Sequence, residues 1–246
     1  MKISIIIATY NSDKTLNRCL DSIVYQLTDD CELIIIDGGS KDNTNKIIAS
    51  YGSKVAYTVS ERDYGVYDAW NKGIKASKGD WITFIGSDDE LLPKTIDKYM
   101  NYISSCPHDT ELITGKLHFI GKNGHLIRNV GEPFDWYKLV HRKLSLAHPG
   151  MLHNRKCFEK YGLFDTRYKI CADSDFLQRL GKDAKSVFVD DFFVNMSEGG
   201  ISDSLDALRE SFVIRYRNNN LSIIENIIGS LQIIIILVVK RIIHKG

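Results

Sequence analysis

Three acidic residues, Asp88, Asp89 and Glu90, follow closely on the apolar, β-rich run Trp81-Ile82-Thr83-Phe84-Ile85. Unpaired charge is costly to bury, so carboxylates at the end of an apolar strand need a physical reason. In an open α/β sheet the ligand crevice lies outside the carboxyl ends of the strands. Oxygen ligands gathered there hold a divalent cation, and the cation holds a diphosphate. Asp88 and Asp89 are thus the candidate ligands of Mg²⁺ or Mn²⁺, and a nucleotide-linked substrate is expected. The competing reading is an exposed acidic loop.

Other turns offer matching chemistry. Ala8-Thr9-Tyr10-Asn11 presents backbone groups and a tyrosine ring to a nucleobase, or is a plain turn. In Asp37-Gly38-Gly39-Ser40-Lys41-Asp42, a carboxylate able to accept from a base or ribose precedes glycines that admit close approach to the backbone. Ser40 and Asp42 can instead cap the next helix. In Ser60–Gly73, Asp63 is placed to face a nucleotide. Asp68 shares a helical face with Asn71 and either contacts ligand or stabilises the helix start. In the second half, Asp173 and Asp175 open a helix two residues apart and point in different directions. One can cap while the other serves as a general base for a hydroxyl, and the residues alone leave open which does which. His148, before Pro149-Gly150, is a candidate for the acceptor side, with Trp136 and Tyr137 as possible sugar-stacking rings.

The elements that must position these groups are legible from periodicity. Ile3–Ala8, Glu32–Asp37, Val55–Ser60 and Trp81–Ile85 read as strands, the continuous apolar runs as strands buried on both faces. Helices follow: one with Leu16, Cys19, Leu20, Ile23, Val24 and Leu27 on one face and caps from Asn11-Ser12-Asp13, a short one through Ile47, one over Val66–Ala76, and one with Pro93 in its first turn. Four strand–helix units in about a hundred residues predict a parallel, doubly wound sheet. Beyond it, Glu111–Phe119 and His125–Val130 flank Gly121-Lys122-Asn123-Gly124 as a hairpin. Leu146–His153 and Ser186–Val189 read as strands, Arg155–Tyr161 and Asp173–Leu180 as helices. The expected organisation is a single domain over residues 1–220, with a nucleotide half (1–105) and an acceptor half (106–220), followed by a C-terminal segment.

Composition narrows the function classes. Lys and Arg number 32 against 31 Asp and Glu, a net charge of +1, which argues against a bulk nucleic-acid binder. Five scattered cysteines suit neither a disulfide framework nor a zinc knuckle and agree with a reducing cytoplasm. No signal peptide is evident. The stretch Leu221–Val239 is rich in isoleucine and closes on Lys240-Arg241-Ile242-Ile243-His244-Lys245, but Glu225, Asn226, Ser230 and Gln232 interrupt it. It is short of the roughly 20 apolar residues of a spanning helix. It predicts a helix in the interface of the membrane's inner face, its basic residues against anionic headgroups, or else a helix packed on protein.

In combination, Thr9-Tyr10-Asn11, Asp37-Gly38-Gly39-Ser40-x-Asp42-x-Thr44 and Ser60-Glu61-x-Asp63-x-Gly65-x-Tyr67-Asp68-Ala69-x-Asn71-x-Gly73 resemble the family-2 inverting glycosyltransferases of bacterial surface-polysaccharide assembly. The match covers most of residues 1–100 and resumes around His148–Leu180. The resemblance implies a GT-A fold: a mostly parallel nucleotide-binding sheet flanked by helices, a smaller mixed sheet on the acceptor side, and C-terminal helices. It also implies that Ala8, Tyr10, Asp37 and Asp63 line the nucleoside pocket, that Asp88 with Asp89 binds ribose and metal–diphosphate, and that Asp173 is the base, with Asp175 its neighbour. The donor is then a nucleotide diphosphate sugar, a UDP-sugar foremost, and the acceptor a saccharide or lipid-linked saccharide in exopolysaccharide, capsule or O-antigen assembly. Two positions depart from the family pattern: Gly38 stands where many relatives carry a second Asp, and Gly86 replaces the first acid of the Asp-x-Asp signature. A nucleotidyltransferase, or a catalytically idle nucleotide-sugar-binding subunit, is the alternative.

Overall fold

In the computed structural model, which describes residues 2–141, 146–199, 204–219 and 221–231, four parallel strands form one half of the sheet. β1 (Ile3–Thr9) lies between β2 (Cys31–Asp37) and β4 (Trp81–Gly86), and β3 (Tyr57–Ser60) pairs with β2 at the edge. The register is direct: Thr9 is opposite Asp37, Asp37 opposite Ser60, and Ala8 opposite Gly86. All four strands therefore deliver their final residues, and the turns that follow, to one edge.

Side chains alternate between two faces of these strands. Ile3, Ile5, Ile7, Leu33 and Ile35 pack beneath α1 (Leu16–Val24), α2 (Thr44–Ser50) and α4 (Thr95–Ser105). Ile6, Ile34, Ile36, Ile82 and Phe84 pack on the other side against α3 (Val66–Ala76), α6 (Arg155–Tyr161) and α7 (Ala172–Leu180). This two-sided burial is why β1, β2 and β4 are almost wholly apolar. Edge strand β3 is largely exposed and carries polar Thr58 and Ser60, with Val59 turned to the core.

The second half continues the same sheet in mixed orientation. β4 pairs antiparallel with β8 (Leu152–Asn154), β8 with β6 (Leu112–Ile120), and β6 runs parallel to β9 (Ser186–Ser197). β7 (Leu126–Val130) forms the expected hairpin with β6, and the two-residue strand β5 (Glu90–Leu91) closes the order β3-β2-β1-β4-β8-β6-β9-β5. Helix α5 (Trp136–His141) precedes β8, α8 (Leu205–Asn219) packs on α7, and a further described helix, α9, at 223–231 seats on α8.

Several expectations are corrected. Residues 146–151 are not strand: Gly150 has φ +82° and Met151 N donates to His148 O at 3.0 Å, so the chain turns before β8 begins at Leu152. The strand expected over Ser186–Val189 continues to Ser197, carrying Phe193 and Val194 into the core. Pro93 precedes α4 instead of sitting in its first turn. Asn11, Ser12 and Asp13 do not cap α1; their groups cross to the turn after β2, where Asn11 Oδ1 accepts from Lys41 N at 2.9 Å and Ser12 N donates to Thr44 Oγ1 at 2.8 Å. The end of the apolar–basic segment, residues 232–246, lies outside the described residues, and no described helix is long and apolar enough to cross a membrane.

Close approach of α3 to β1 depends on Gly73, where an added Cβ would stand 2.5 Å from Ile6 Cγ2. Alanine ordinarily favours a helix over glycine by about 1 kcal/mol, but overpacking costs about 1–3 kcal/mol. Gly73→Ala is therefore expected to lower the urea midpoint, and a raised midpoint would show that α3 does not pack this tightly.

Candidate active site

Four turns at the carboxyl edge are cross-linked by their own polar side chains. Asp37, fully buried at the end of β2, is the hub. Its Oδ2 accepts from Gly39 N at 3.1 Å, Ser40 N at 2.9 Å and Asn45 Nδ2 at 3.1 Å, and the Ser40 and Ser60 hydroxyls donate to the same carboxylate. Burial alone would raise the pKa of Asp37; the donors from Ser40, Ser60 and Asn45 outweigh it and hold the carboxyl below its ordinary value. Asp37 thus fixes the geometry of the β2 turn and presents no exposed oxygen to a base or ribose.

The carboxylate that does face outward is Asp63, half-buried in the segment between β3 and α3. Among the described residues only its Oδ1 accepts a hydrogen bond, from Gly65 N at 3.0 Å. A Cβ built on Gly38 would lie 2.7 Å from Asp63 Oδ2. Asp63 therefore occupies the space into which a side chain at position 38 would project, and the glycine is the condition for its being there. Tyr10 is 62% exposed, free to stack, and Ala8 lies half-buried at the end of β1. Asp68 accepts from Tyr64 N at 3.1 Å and pairs with Lys72 at 3.6 Å, so its carboxylate steadies the start of α3.

The same substitution logic holds at Gly86. A Cβ there would meet Asp89 Oδ2 at 2.7 Å and Asp88 Oδ1 at 2.9 Å, so both carboxylates fold back around the position. Asp89 is buried; its Oδ1 accepts from Ser197 N at 3.0 Å and its Oδ2 from Gly86 N at 3.2 Å. Burial, and then the neighbouring Asp88, push its pKa up to about 7. The Asp88 main chain is clamped by Ser197 Oγ at 2.6 Å and Arg18 Nη2 at 2.9 Å, while its half-buried carboxylate accepts no hydrogen bond from the described residues. Two converging acids, one without a protein donor, match the donor set of a cation that completes its shell with water and phosphate oxygens. Among the described residues no cluster of three His, Cys, Asp or Glu could hold a metal by itself. Ser197 and Arg18 gave no sequence signal, since reaching the acid turn requires β9 to run its full length beside β6.

Asp173 lies on the first turn of α7. Tyr67, the second residue of α3, donates its hydroxyl within 3.0 Å of Asp173 Oδ1 and 2.7 Å of Ile170 O, and Ser174 N reaches the same carboxylate oxygen at 2.8 Å. Because α3 begins at the carboxyl edge, this places Asp173 at the edge that carries Asp63 and Asp88. Asp173 Oδ2 has no hydrogen-bond donor among the described residues, and burial raises the carboxyl pKa. Asp175 is placed differently: buried, with Oδ2 on Arg179 Nε at 2.9 Å and Oδ1 on Asn218 Nδ2 at 2.8 Å, it is a saturated ion pair behind the helix. His148 stacks on Trp70 at 5.2 Å, and burial pushes its pKa down to about 4, so it is a neutral ring. Trp136 is tied to Gln178 O at 3.0 Å, while Tyr137 is exposed.

A family model described as glycosyl transferase family 2 matches residues 4–161. The chain belongs to this family. It is 33% identical over 178 residues to a PGL/p-HBAD biosynthesis glycosyltransferase of Mycobacterium bovis, covering 70% of this chain and 67% of the relative. A glycosyltransferase of Rickettsia typhi is 30% identical over 183 residues, covering 70% and 56%. In fold, the structure of S. aureus TarS 1–349 in complex with UDP-GlcNAc superimposes with a TM-score of 0.69 at 18% identity, covering 92% of this chain and 69% of that one. A mannosyltransferase from Pyrobaculum calidifontis in complex with GDP-Man and Mn²⁺ gives 0.63 at 16%, covering 94% and 69%. The chain is a glycosyltransferase of the GT-A fold.

The Asp37 hub makes a stability prediction. With a folded pKa below the unfolded one, its contribution is complete above the ordinary carboxylate pKa of about 4 and is lost as pH falls through the depressed value. Asp37→Asn is expected to cost about 2–3 kcal/mol near neutrality, with the gap to wild type closing in acid. Denaturant titrations of both proteins across pH check this; a gap that does not vary with pH would contradict it.

Proposed function

We propose that this glycosyltransferase inverts configuration, moving a sugar from a nucleotide diphosphate sugar, a UDP-sugar foremost, to a hydroxyl of a saccharide or lipid-linked saccharide. Exopolysaccharide, capsule or O-antigen assembly is the proposed setting. The nucleotide complexes of the two structural neighbours support such a donor. The observation that carries the reading is Asp173: one oxygen pinned by Tyr67 and Ser174, the other without a donor among the described residues, with burial raising its proton affinity.

Tyr10 and Asp63 would receive the nucleoside, the ring by stacking and the free Asp63 oxygen by accepting from the base. Asp88 and Asp89 would hold Mg²⁺ or Mn²⁺, which when bound neutralises charge on the departing diphosphate. Asp173 would take the acceptor proton as the acceptor oxygen attacks the anomeric carbon from the face opposite the diphosphate. The C–O bond to the acceptor forms as that to the diphosphate breaks, in one displacement. The base works only when ionised, so turnover should rise with pH through a value above the ordinary carboxylate range. His148, neutral and stacked on Trp70, would shape the acceptor side without carrying charge.

We also propose that the enzyme works on the cytoplasmic side, held at the membrane by its C-terminal helix. In α9 the polar side faces inward, where Asn226 Nδ2 donates to Phe212 O at 2.8 Å and Ser230 Oγ accepts from Arg215 at 2.7 Å. Ile223, Ile224, Ile227, Ile228 and Leu231 are exposed. This apolar outer face, followed in sequence by further apolar residues and by Lys240, Arg241, His244 and Lys245, suits an anionic lipid surface.

Two outcomes are expected. Asp173→Asn should lower turnover by roughly 10²–10⁴-fold with UDP affinity, measured by calorimetry, left within about twofold; retained turnover would remove Asp173 from the role. Serine at Ile224, Ile227 and Ile228 together should release the protein from phosphatidylglycerol vesicles in a sedimentation assay without lowering its melting temperature. Equal sedimentation of variant and parent would rule out this face.

A further inference from the structure

Beyond the segment matched by the family model, Glu210 in the middle of α8 accepts three consecutive main-chain N–H groups. Its Oε1 receives Lys169 N at 2.7 Å, and its Oε2 receives Ile170 N and Cys171 N, each at 2.9 Å. Successive amides converging on one anion form a nest, and hydrogen bonds to an ionised acceptor are the stronger kind. The three residues held are those that lead into α7. Cys171 is the residue before the helix, Asp173 lies two residues on, and the Ile170 carbonyl accepts the same Tyr67 hydroxyl that reaches Asp173. The Lys169 ammonium also closes on Tyr64 O at 2.7 Å, so the strap joins α8 to the start of α3.

Eight residues further along α8, Asn218 donates to Asp175 Oδ1 at 2.8 Å. The helix therefore grips α7 on both sides of Asp173, once before and once after. Neither contact touches Asp173 itself. Between them the first turn of α7 is held from both ends, with Asp173 against Tyr67. α8 is in turn seated by α9, through the Arg215–Ser230 and Phe212–Asn226 contacts.

We propose that Glu210 is a positioning residue that fixes the place of Asp173 by holding the 169–171 strap, so that the C-terminal helices complete the active site. This rests on Asp173 being the base. The tyrosine proton is shared between Ile170 O and Asp173 Oδ1, so loss of the strap moves one acceptor of that proton and frees the other. Asp173 then drifts from its partly buried seat toward solvent.

The test compares Glu210→Gln, which keeps the shape but opposes an NH₂ to backbone donors, and Glu210→Asp, which keeps the charge but shortens the reach. Their readouts are amide hydrogen exchange at 169–171, carboxyl ¹³C titration of Asp173, and UDP release with Mn²⁺ from a panel of UDP-sugars. In Glu210→Gln the three amides should lose protection and Asp173 should titrate closer to an ordinary carboxylate. Turnover should fall at least about tenfold with KM within about twofold, since misplacing a reacting group by an ångström costs about 10²-fold. On an Asp173→Asn background the same change should cost less than about twofold, because it acts only through Asp173. Glu210→Asp should lie between the variant and the parent. Unaltered exchange and Asp173 titration in a folded Glu210→Gln protein would overturn the proposal, as would a full loss of activity repeated on the Asp173→Asn background. Should Asp173→Asn itself keep its turnover, the base assignment fails separately, and the exchange and titration data still score the strap.

Discussion

A buried carboxylate surrounded by donors from three separate stretches holds this site together. Asp37 draws the β2 turn, the first residues of α2 and the end of β3 onto one anion, and the Ser40 hydroxyl that it anchors accepts from Asn11 N at 2.7 Å in the turn after β1. The β1 turn is joined to the β4 turn by the Ser12 and Ser87 hydroxyls, 2.9 Å apart. An ionised group in that position is tolerable only because its desolvation is met by oriented donors. The consequence is a stiff rim along the parallel strands, from which Asp63, Asp88 and Asp89 project with little freedom.

The two departures from the family pattern become intelligible on this rim. At Gly38 the Asp63 carboxylate, and at Gly86 the Asp88 and Asp89 carboxylates, occupy the space that a side chain there would enter.

Much of this was legible beforehand, for identifiable reasons. β1, β2 and β4 are buried on both faces, which leaves an unmistakable apolar run, and α3 was read to the residue from its periodicity. The candidates Asp63, Asp88 and Asp173 stand at strand ends or a helix start, where composition changes abruptly. The roles of Asp37, Asp68 and Asp175 were not legible, because an acid that binds ligand and one saturated by neighbours have the same letter; only the Ser60, Tyr64 and Asn218 contacts separate them. Ser197, Arg18 and Glu210 act across 39 residues of sequence or more, and no local pattern encodes such pairings. The turn at Gly150 was hidden by the apolar residues around it.

Acids from three distant stretches, Asp63, Asp88 with Asp89, and Asp173, are proposed to converge on one bound donor. A crystal structure with UDP and Mn²⁺ tests this most directly, because anomalous scattering locates the metal without reference to the protein. Mn²⁺ is expected beside the Asp88 and Asp89 carboxylates and the diphosphate, uracil between Tyr10 and Asp63, and Asp173 Oδ2 facing the space beyond the terminal phosphate. Nucleotide bound away from Asp63, or Mn²⁺ more than a coordination shell from Asp88, would contradict it.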